Sequence, residues 1–479
     1  MITAGAMKKR SQGARVVLVG LVFLAALLVL RTNVSTVSRL SVAAPPRSLT
    51  KNGQGTKKLL QREITGVPLN SQWQSPESRE VAAAAITCDR SHHAYDTCTV
   101  NGPTLLHSPT STFFLLRPAA VRLSPEKIRP HPRKWENSTM SKIKEFTLAP
   151  AGPPQDLRCD FEHDAPALVL SVGGYTGNFF HEFGDGLVPL FVTANTVFPG
   201  RDFVLVIDGA TDRWIHKYED LLQALSGRPV VYVDHANGSH CFPSASLGLI
   251  SHGFMTINPK LTPNSRTFLH FRRFLDEAYR RNRPEAPAAA PRSLARRPRL
   301  VIAARTGGVG RVILNQKEVT DLARAVGFEV AVFEPNRSTP LREAYELINS
   351  SHALVGVHGA ALTHTLFLLP GAVLGQVVPI GAGWVARACF QEPALAMGLS
   401  YVEYGIAPEE SSLLEKYGRD HVLLKDPAAA NGGGWSAKVM SVYLKEQNVR
   451  LDLGRFRGFL EVVYEKANKF MEEEGKGLN

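Results

Sequence analysis

Two segments fix the kind of fold this chain can adopt: GGYTGNFFHEFGDGLVPLF at residues 173–191 and VGVHGAALTH at residues 355–364. Each sets glycine directly behind an apolar run of strand length and ahead of helix-compatible residues. That is the pattern of a buried parallel strand turning into a helix, and open α/β sheets hold their ligands at such strand ends. One segment lies in each half of the chain, which predicts two lobes sharing a cleft.

The surrounding sequence alternates accordingly. ALVLSV (167–172), FVLVID (203–208) and VVYV (230–233) read as buried strands, and DRWIHKYEDLLQAL (212–225) between the last two has helical spacing. In the second half RLVIAA, FEVAVFE, ALVGVH and VLGQVVP read as strands, separated by KEVTDLARAVG and LREAYELINSS as helices. Strand and helix in alternation argue for parallel βαβ units. Phe456, Phe459, Leu460, Val463, Ala467 and Phe470 recur at helical steps and predict a terminal amphipathic helix.

The expected organisation is a cytosolic tail at 1–15, a transmembrane signal anchor at 16–31, a flexible stem at 32–80, a first lobe at 81–283, a linker at 284–298 and a second lobe at 299–479. The anchor rests on VVLVGLVFLAALLVL, an uncharged run preceded by Lys8, Lys9, Arg10 and Arg15. It is short against the ~20 residues of a full span, but flanking arginines can snorkel. No Ala-x-Ala-like site follows closely, which favours an uncleaved anchor over a signal peptide and puts the remainder in a lumen. The stem is rich in Ser, Thr, Pro, Gly and Lys, and the linker PEAPAAAPRSLARRP carries arginines that read as a solvated loop.

The net charge of +12 invites a nucleic-acid reading, yet residues 1–60 hold ten Lys or Arg and no acid. With the arginines of 280–299 also set aside, the rest of the chain is slightly acidic. A basic groove spread over the fold, and hence a nucleic-acid partner, is not expected.

A lumenal setting suits the other features. Asn137, Asn237, Asn336 and Asn349 stand in Asn-x-Ser/Thr acceptors. Asn33 does too, but close to the expected anchor. Of five cysteines, Cys88 and Cys98 flank a short segment with no core of its own and are the expected disulfide. How Cys159, Cys241 and Cys389 divide is open.

In the first motif Gly173, Gly174 and Gly177 let the chain turn sharply and bring backbone amides close to a ligand. His181 and Asp185 then stand four apart, on one face of a helix. A histidine held by a carboxylate suits a general base, and Glu182 is a further candidate if burial raises its pKa. Local sequence leaves equally open a pair that bonds to itself inside an interface. The second motif ends a strand at His358, turns through Gly359 and Ala360, and opens a helix carrying Thr363 and His364 whose first amides suit a diphosphate. Tight strand-to-helix packing would also explain its small residues. Upstream, ARTGGVGRVILN places Arg305 and Arg311 around a glycine-rich turn, where two guanidiniums suit a departing phosphate. GGVGRV lacks the third glycine of a dinucleotide fingerprint, and no Asp-x-Asp occurs, so a metal-held diphosphate is not expected. Tyr175, Phe179, Phe180 and Trp384 are aromatic candidates for stacking on sugars, although core packing suits most of them as well.

On these residues the chain resembles the family 61 glycosyltransferases, especially the plant members that decorate xylan, over roughly residues 80–479. The likeness rests on the two motifs, the Cys88–Cys98 segment, the arginine pair, VVPIG after the second motif, and Trp384 to Cys389. It implies an α/β fold of GT-B type with two Rossmann-like lobes, an inverting mechanism, a UDP-sugar donor and a single-pass Golgi anchor; the missing Asp-x-Asp adds the expectation that no cofactor is required. It further implies His181 with Asp185 as the catalytic pair, Arg305, Arg311, His358, Gly359, Ala360 and Thr363 on the donor, and the acceptor in the first lobe, where Tyr175 and Asn178 are the candidates. The chain departs from many plant relatives at Glu182 and Gly184, where they have Asp and Asn.

The expected activity is transfer of a pentose, xylose or arabinofuranose, from UDP to xylan. Within the same chemistry, an N-glycan core receiving xylose or a protein receiving N-acetylglucosamine is the alternative. A catalytically silent Golgi scaffold is a third class. A hydrolase would need a carboxylate pair or nucleophile elbow, and neither is found.

Overall fold

The runs that read as strands supply the centres of two sheets. In the first lobe Ala167–Ser171 pairs in parallel with Val204–Asp208 and with Ala245–Leu247, and Val231–Tyr232 extends the sheet past Val204–Asp208. A hairpin of Ala85–Asp89 and Thr97–Asn101 closes the other edge antiparallel, and the Cys88–Cys98 disulfide staples it across directly paired residues. In the second lobe five strands run wholly parallel, in the order Glu329–Phe333, Arg299–Ala303, Ala353–Val357, Val373–Val378, Ser400–Gly405. Both central strands, Ala167–Ser171 and Ala353–Val357, are buried at every residue, as a strand covered on both faces must be.

The structure is a computed structural model describing residues 85–118, 123–152, 157–200, 202–281, 296–305, 308–432 and 436–476. Everything described belongs to one compact unit, Ser78–Asn479. The expected tail, anchor and stem, and most of the linker, lie outside the described residues. Among the described residues no helix is long and apolar enough to cross a membrane.

The sequence does not foretell a third sheet, six short strands in the order Glu126–Ile128, Phe146–Pro150, Thr112–Leu115, Thr104–His107, Ser239–Phe242, Phe161–Glu162. Its far edge is held by a second disulfide, Cys159–Cys241, which leaves Cys389 as the free thiol.

The lobes are not separate cores. The helix Phe268–Arg281, the last element before the linker, buries Phe268, Phe271 and Leu275 in an apolar cluster that also takes in Leu354, Phe367 and Leu374 of the second lobe. Its buried Arg272 donates to the carbonyls of Phe367 and Leu368 at 3.0 and 2.8 Å. Arg342 reaches back to Asp220 at 2.7 Å. The long helix Leu453–Lys476 buries Phe456, Leu460, Val463 and Ala467 against the second sheet, as its periodicity predicts.

Both glycine motifs sit at C-terminal strand ends, with one departure each from the expected helix. Phe179–Val197 is continuous, but its second turn, Glu182–Leu187, is wound as a π-helix. Such turns recur at functional sites because they redirect side chains within a helix. After Gly359, Ala360–Phe367 is a tight 3₁₀ segment rather than an α-helix, with Leu362 to Phe367 all buried.

Candidate active site

The π turn brings His181 onto Asp185: Nδ1 lies 2.7 Å from Oδ2. Asp185 also accepts from Arg133, through Nε at 3.0 Å and Nη2 at 3.1 Å, a bidentate fork. Arg133 Nη2 lies 3.1 Å from His181 Nδ1 as well. A guanidinium only donates, so Nδ1 faces one donor and one acceptor, and the shorter contact decides: the proton of His181 is on Nδ1 and goes to Asp185. Nε2 is then the free lone pair. Burial would raise the Asp185 carboxyl, but the hydrogen bond from His181 and the Arg133 charge hold it below the usual carboxylate range, so it stays ionised.

Sequence reasoning missed Arg133, which sits in a loop 52 residues from Asp185 with no motif around it. It is boxed by Trp135, Tyr175 and Phe254, with ring centroids 5.5, 5.3 and 5.3 Å from its guanidinium carbon. Tyr175 also stacks flat on His181 at 4.0 Å and donates its hydroxyl to Glu136, which binds Arg133 in turn. Tyr175 therefore fixes the ring of His181.

Glu182 holds the turn rather than facing a substrate proton. Gly177 N donates to one of its oxygens at 2.7 Å and Trp214 Nε1 to the other at 2.5 Å, and burial raises its pKa against those bonds. Asn178 caps the helix through Phe180 N at 3.1 Å.

Across the interlobe boundary Arg305 and Arg311 lie beside Gly359, both half-buried and neither in an ion pair with a carboxylate among the described residues. Arg305 Nη1 and Arg311 Nε have no hydrogen-bond partner there, while Arg311 Nη1 donates to the His358 carbonyl at 3.0 Å. Burial lowers both pKa values, and the Arg305 charge helps bring Arg311 to about 9. Two partly desolvated cations side by side, each with a buried nitrogen left unpaired, are costly unless an anion joins them. His358 is pushed down to about 3 by burial and the two arginines. It accepts from Gln376 Nε2 at 2.9 Å through Nδ1, so its own proton is on Nε2. His364 is held near 4 by burial and donates from Nδ1 to the Ala361 carbonyl at 2.8 Å.

A cleft of about 680 Å3 runs between the lobes, the size of a small-molecule site. Asn178, Phe179, Arg213 and Lys217 line it from the first lobe, and Arg305, Glu334, Arg337 and Ala360 from the second. Its cations outnumber its carboxylates, and burial lowers the Lys217 amine. Arg311, His358 and Gly359 stand directly behind Arg305 and Ala360, whereas Thr363 is turned inward with its hydroxyl unpartnered among the described residues. His181 does not line this cleft. It lines an adjoining pocket of about 20 Å3, and Thr176, Glu182 and Trp214 border both. The single crevice expected from the sequence is thus two neighbouring spaces divided by the Thr176–Glu182 turn. The lobes touch across that divide: Phe179 stacks on His364 at 4.3 Å, and Phe390 sits between Phe180 and His358. The Cys389 thiol, raised by burial to about 12, lies within reach of the Arg133 and Asp185 charges. Among the described residues no three His, Cys, Asp or Glu side chains converge as a metal site.

Of the sequence-predicted glycan acceptors, Asn137 and Asn237 are exposed. Asn336 is exposed at the rim of the cleft, and Asn349 is half-buried and accepts from Arg272 at 2.5 Å.

Gly359 makes the arginine pair possible. Its φ of 150° disfavours a side chain, and a β-carbon there would meet Arg305 Nη1 at 2.6 Å and Arg311 Nη1 at 2.8 Å. Gly359→Ala is expected to fold, since flexible side-chain ends give way first, but to displace both guanidiniums. If the pair holds the diphosphate of a UDP-sugar, as the sequence leads one to expect, losing charge-assisted bonds worth ~1.5–3 kcal/mol should weaken UDP about ten- to a hundredfold by calorimetry. Unchanged affinity would place the diphosphate elsewhere.

A family model described as Glycosyltransferase 61 matches residues 113–375, more than half of the chain and including both glycine motifs and the arginine pair. The chain belongs to the glycosyltransferase 61 family. It is 38% identical over 422 residues to xylan glycosyltransferase MUCI21 of Arabidopsis thaliana, covering 85% of this chain and 84% of that one. With alpha-1,3-arabinosyltransferase XAT3 of Oryza sativa it shares 36% over 383 residues, 80% of this chain and 65% of the relative. With the rice beta-1,2-xylosyltransferase XAX1 it shares 35% over 376 residues, 76% and 64%. As a glycosyltransferase 61 member the protein is a glycosyltransferase, with a sugar donor and a glycan acceptor to accommodate.

Proposed function

We propose that this glycosyltransferase moves a pentose, xylose or arabinofuranose, from a UDP-sugar onto xylan, with inversion and without a metal ion. The observation that carries the reading is the half-buried arginine pair, without carboxylate partners among the described residues, set across the interlobe boundary from a histidine whose free nitrogen is defined. The printed names of the plant relatives supply the pentose and the xylan. The lobes are read as a GT-B pair, the donor lying in the cleft against the second. UDP's diphosphate occupies the space beside Arg305, Arg311 and the amides after Gly359, while the acceptor approaches His181. Nε2 takes the hydroxyl proton as the oxygen attacks the anomeric carbon, the bond from that carbon to the diphosphate oxygen breaks, and UDP leaves with the electron pair, its charge met by the guanidiniums. The run at 16–31 supports a single-pass type II Golgi membrane protein with the catalytic region lumenal.

The test is a donor screen. UDP-xylose, UDP-arabinofuranose and UDP-N-acetylglucosamine are offered with xylohexaose or a glycopeptide, with and without EDTA, and products are read by mass. One added pentose on xylohexaose, undiminished by EDTA, is expected. N-acetylglucosamine added only to the glycopeptide would replace this reading with the other branch of the same chemistry. EDTA-sensitive transfer would overturn the metal-free step.

A further inference from the structure

Exposed aromatic surface begins one side chain away from the base. Trp135 is 49% exposed and Phe254 38%, and their rings meet edge to face at 6.3 Å. Both lie against Arg133, the residue that grips Asp185. His93 adds a third ring at 6.2 Å from Trp135, carried by the loop that the Cys88–Cys98 disulfide closes. Lys134 pins that loop by donating to the Arg90 carbonyl and pairing with Asp96, each at 2.7 Å. Large rings left in water beside a reacting group mark a surface meant to be covered.

A second observation concerns Phe254. Its neighbour Met255 is buried in the apolar core with φ 43°, in the left-handed region that a residue with a β-carbon seldom adopts. A strained backbone is retained only where the surroundings over-determine it. Here Met255 fills the core while the preceding residue, Phe254, is turned out against Arg133 and Trp135.

Charge narrows the occupant. Arg133 is the cation among these rings, and Asp185 and Glu136 already neutralise it. The platform therefore offers flat apolar faces and no spare positive charge to hold an anion, which suits a neutral ligand with flat apolar faces of its own. A β-linked xylopyranose has equatorial substituents and no hydroxymethyl group, so its axial C–H bonds lie open to an aromatic face.

We infer that Trp135 and Phe254 form the acceptor subsite, stacking the xylose rings that flank the residue whose hydroxyl reacts. The inference rests on the proposed xylan acceptor, and it assigns acceptor recognition to side chains outside both glycine motifs.

The experiment uses the full chain, with transfer to xylobiose and xylohexaose and, separately, UDP-pentose hydrolysis without acceptor. Trp135→Ala and Phe254→Ala should each raise the xylohexaose KM about tenfold. kcat, the donor KM and hydrolysis should stay near wild-type. The preference for xylohexaose over xylobiose should flatten, and Trp135→Phe should recover most of the loss. Independently of turnover, xylohexaose should shift the intrinsic tryptophan fluorescence of the wild-type chain, and Trp135→Phe should remove that shift. An unchanged KM, or a fall in kcat alone, would overturn the subsite and leave the rings merely steadying Arg133. A wild-type chain that hydrolyses UDP-pentose yet neither binds nor extends xylo-oligosaccharides would remove the xylan reading, and the subsite with it.

Discussion

His181→Ala should nearly abolish sugar transfer while UDP binds as before. A general base contributes ~10²–10⁴ in rate. The network around His181 leaves no substitute: Asp185 gives both oxygens to Arg133 and His181, and Glu182 gives both to Gly177 and Trp214. His181 is half-buried in its own small pocket and touches no residue of the arginine pair, so truncation should leave the donor side intact. The measurements are product formed per enzyme and the UDP dissociation constant by calorimetry. Asp185→Asn is the poorer probe, because it also breaks the bidentate pair with the buried Arg133, leaving that charge to Glu136 alone, and so confuses rate with folding. Turnover of His181→Ala at the wild-type rate would remove the histidine from the chemistry. Joint loss of UDP affinity would move it into the donor site.

The parts of this site that the sequence discloses are those in which local pattern and long-range structure coincide. Strands such as Ala167–Ser171 and Ala353–Val357 are continuous apolar runs because both faces are covered, and the glycines behind them mark turns that few other residues can make. His181 and Asp185 are legible as a pair because four residues along a helix remain neighbours even through a π turn. Arg133 is invisible by the same logic. Its partner stands 52 residues away, and only the packing of three rings around it makes it more than one loop arginine among many. The third sheet escapes because strands such as Phe161–Glu162 and Glu126–Ile128 are too short to show a period, and their pairing depends on distant chain and on Cys159–Cys241. The 3₁₀ segment escapes because Ala360–Phe367 has helix-compatible residues, and it is burial of nearly the whole segment that tightens it. The division between cleft and base pocket is a matter of how the Thr176–Glu182 turn lies, which composition does not encode.

Arg311→Met should move two measurements in opposite directions: the unliganded protein gains stability and UDP ceases to stabilise it. Burial and the neighbouring Arg305 charge bring Arg311 to about 9, against 12.5 for the free side chain. The unfolded chain therefore binds this proton more tightly than the folded one. The resulting penalty is fully present below about pH 9, is relieved as pH climbs from there towards the unfolded value, and so operates in full at neutral pH. An apolar side chain of similar length removes it, at the smaller cost of the bond to the His358 carbonyl, and the melting temperature should rise by a few degrees. For the wild type, UDP at a hundred times its dissociation constant adds about 2.7 kcal/mol of stability. That gain should largely vanish in the variant, whose affinity falls about a hundredfold with the loss of a charged contact. A purely structural arginine would behave otherwise: its loss would lower the melting temperature and leave the UDP-induced shift in place. The sign of the unliganded shift, read beside the liganded one, therefore decides whether this pair of cations is kept for packing or for the phosphates that leave with UDP.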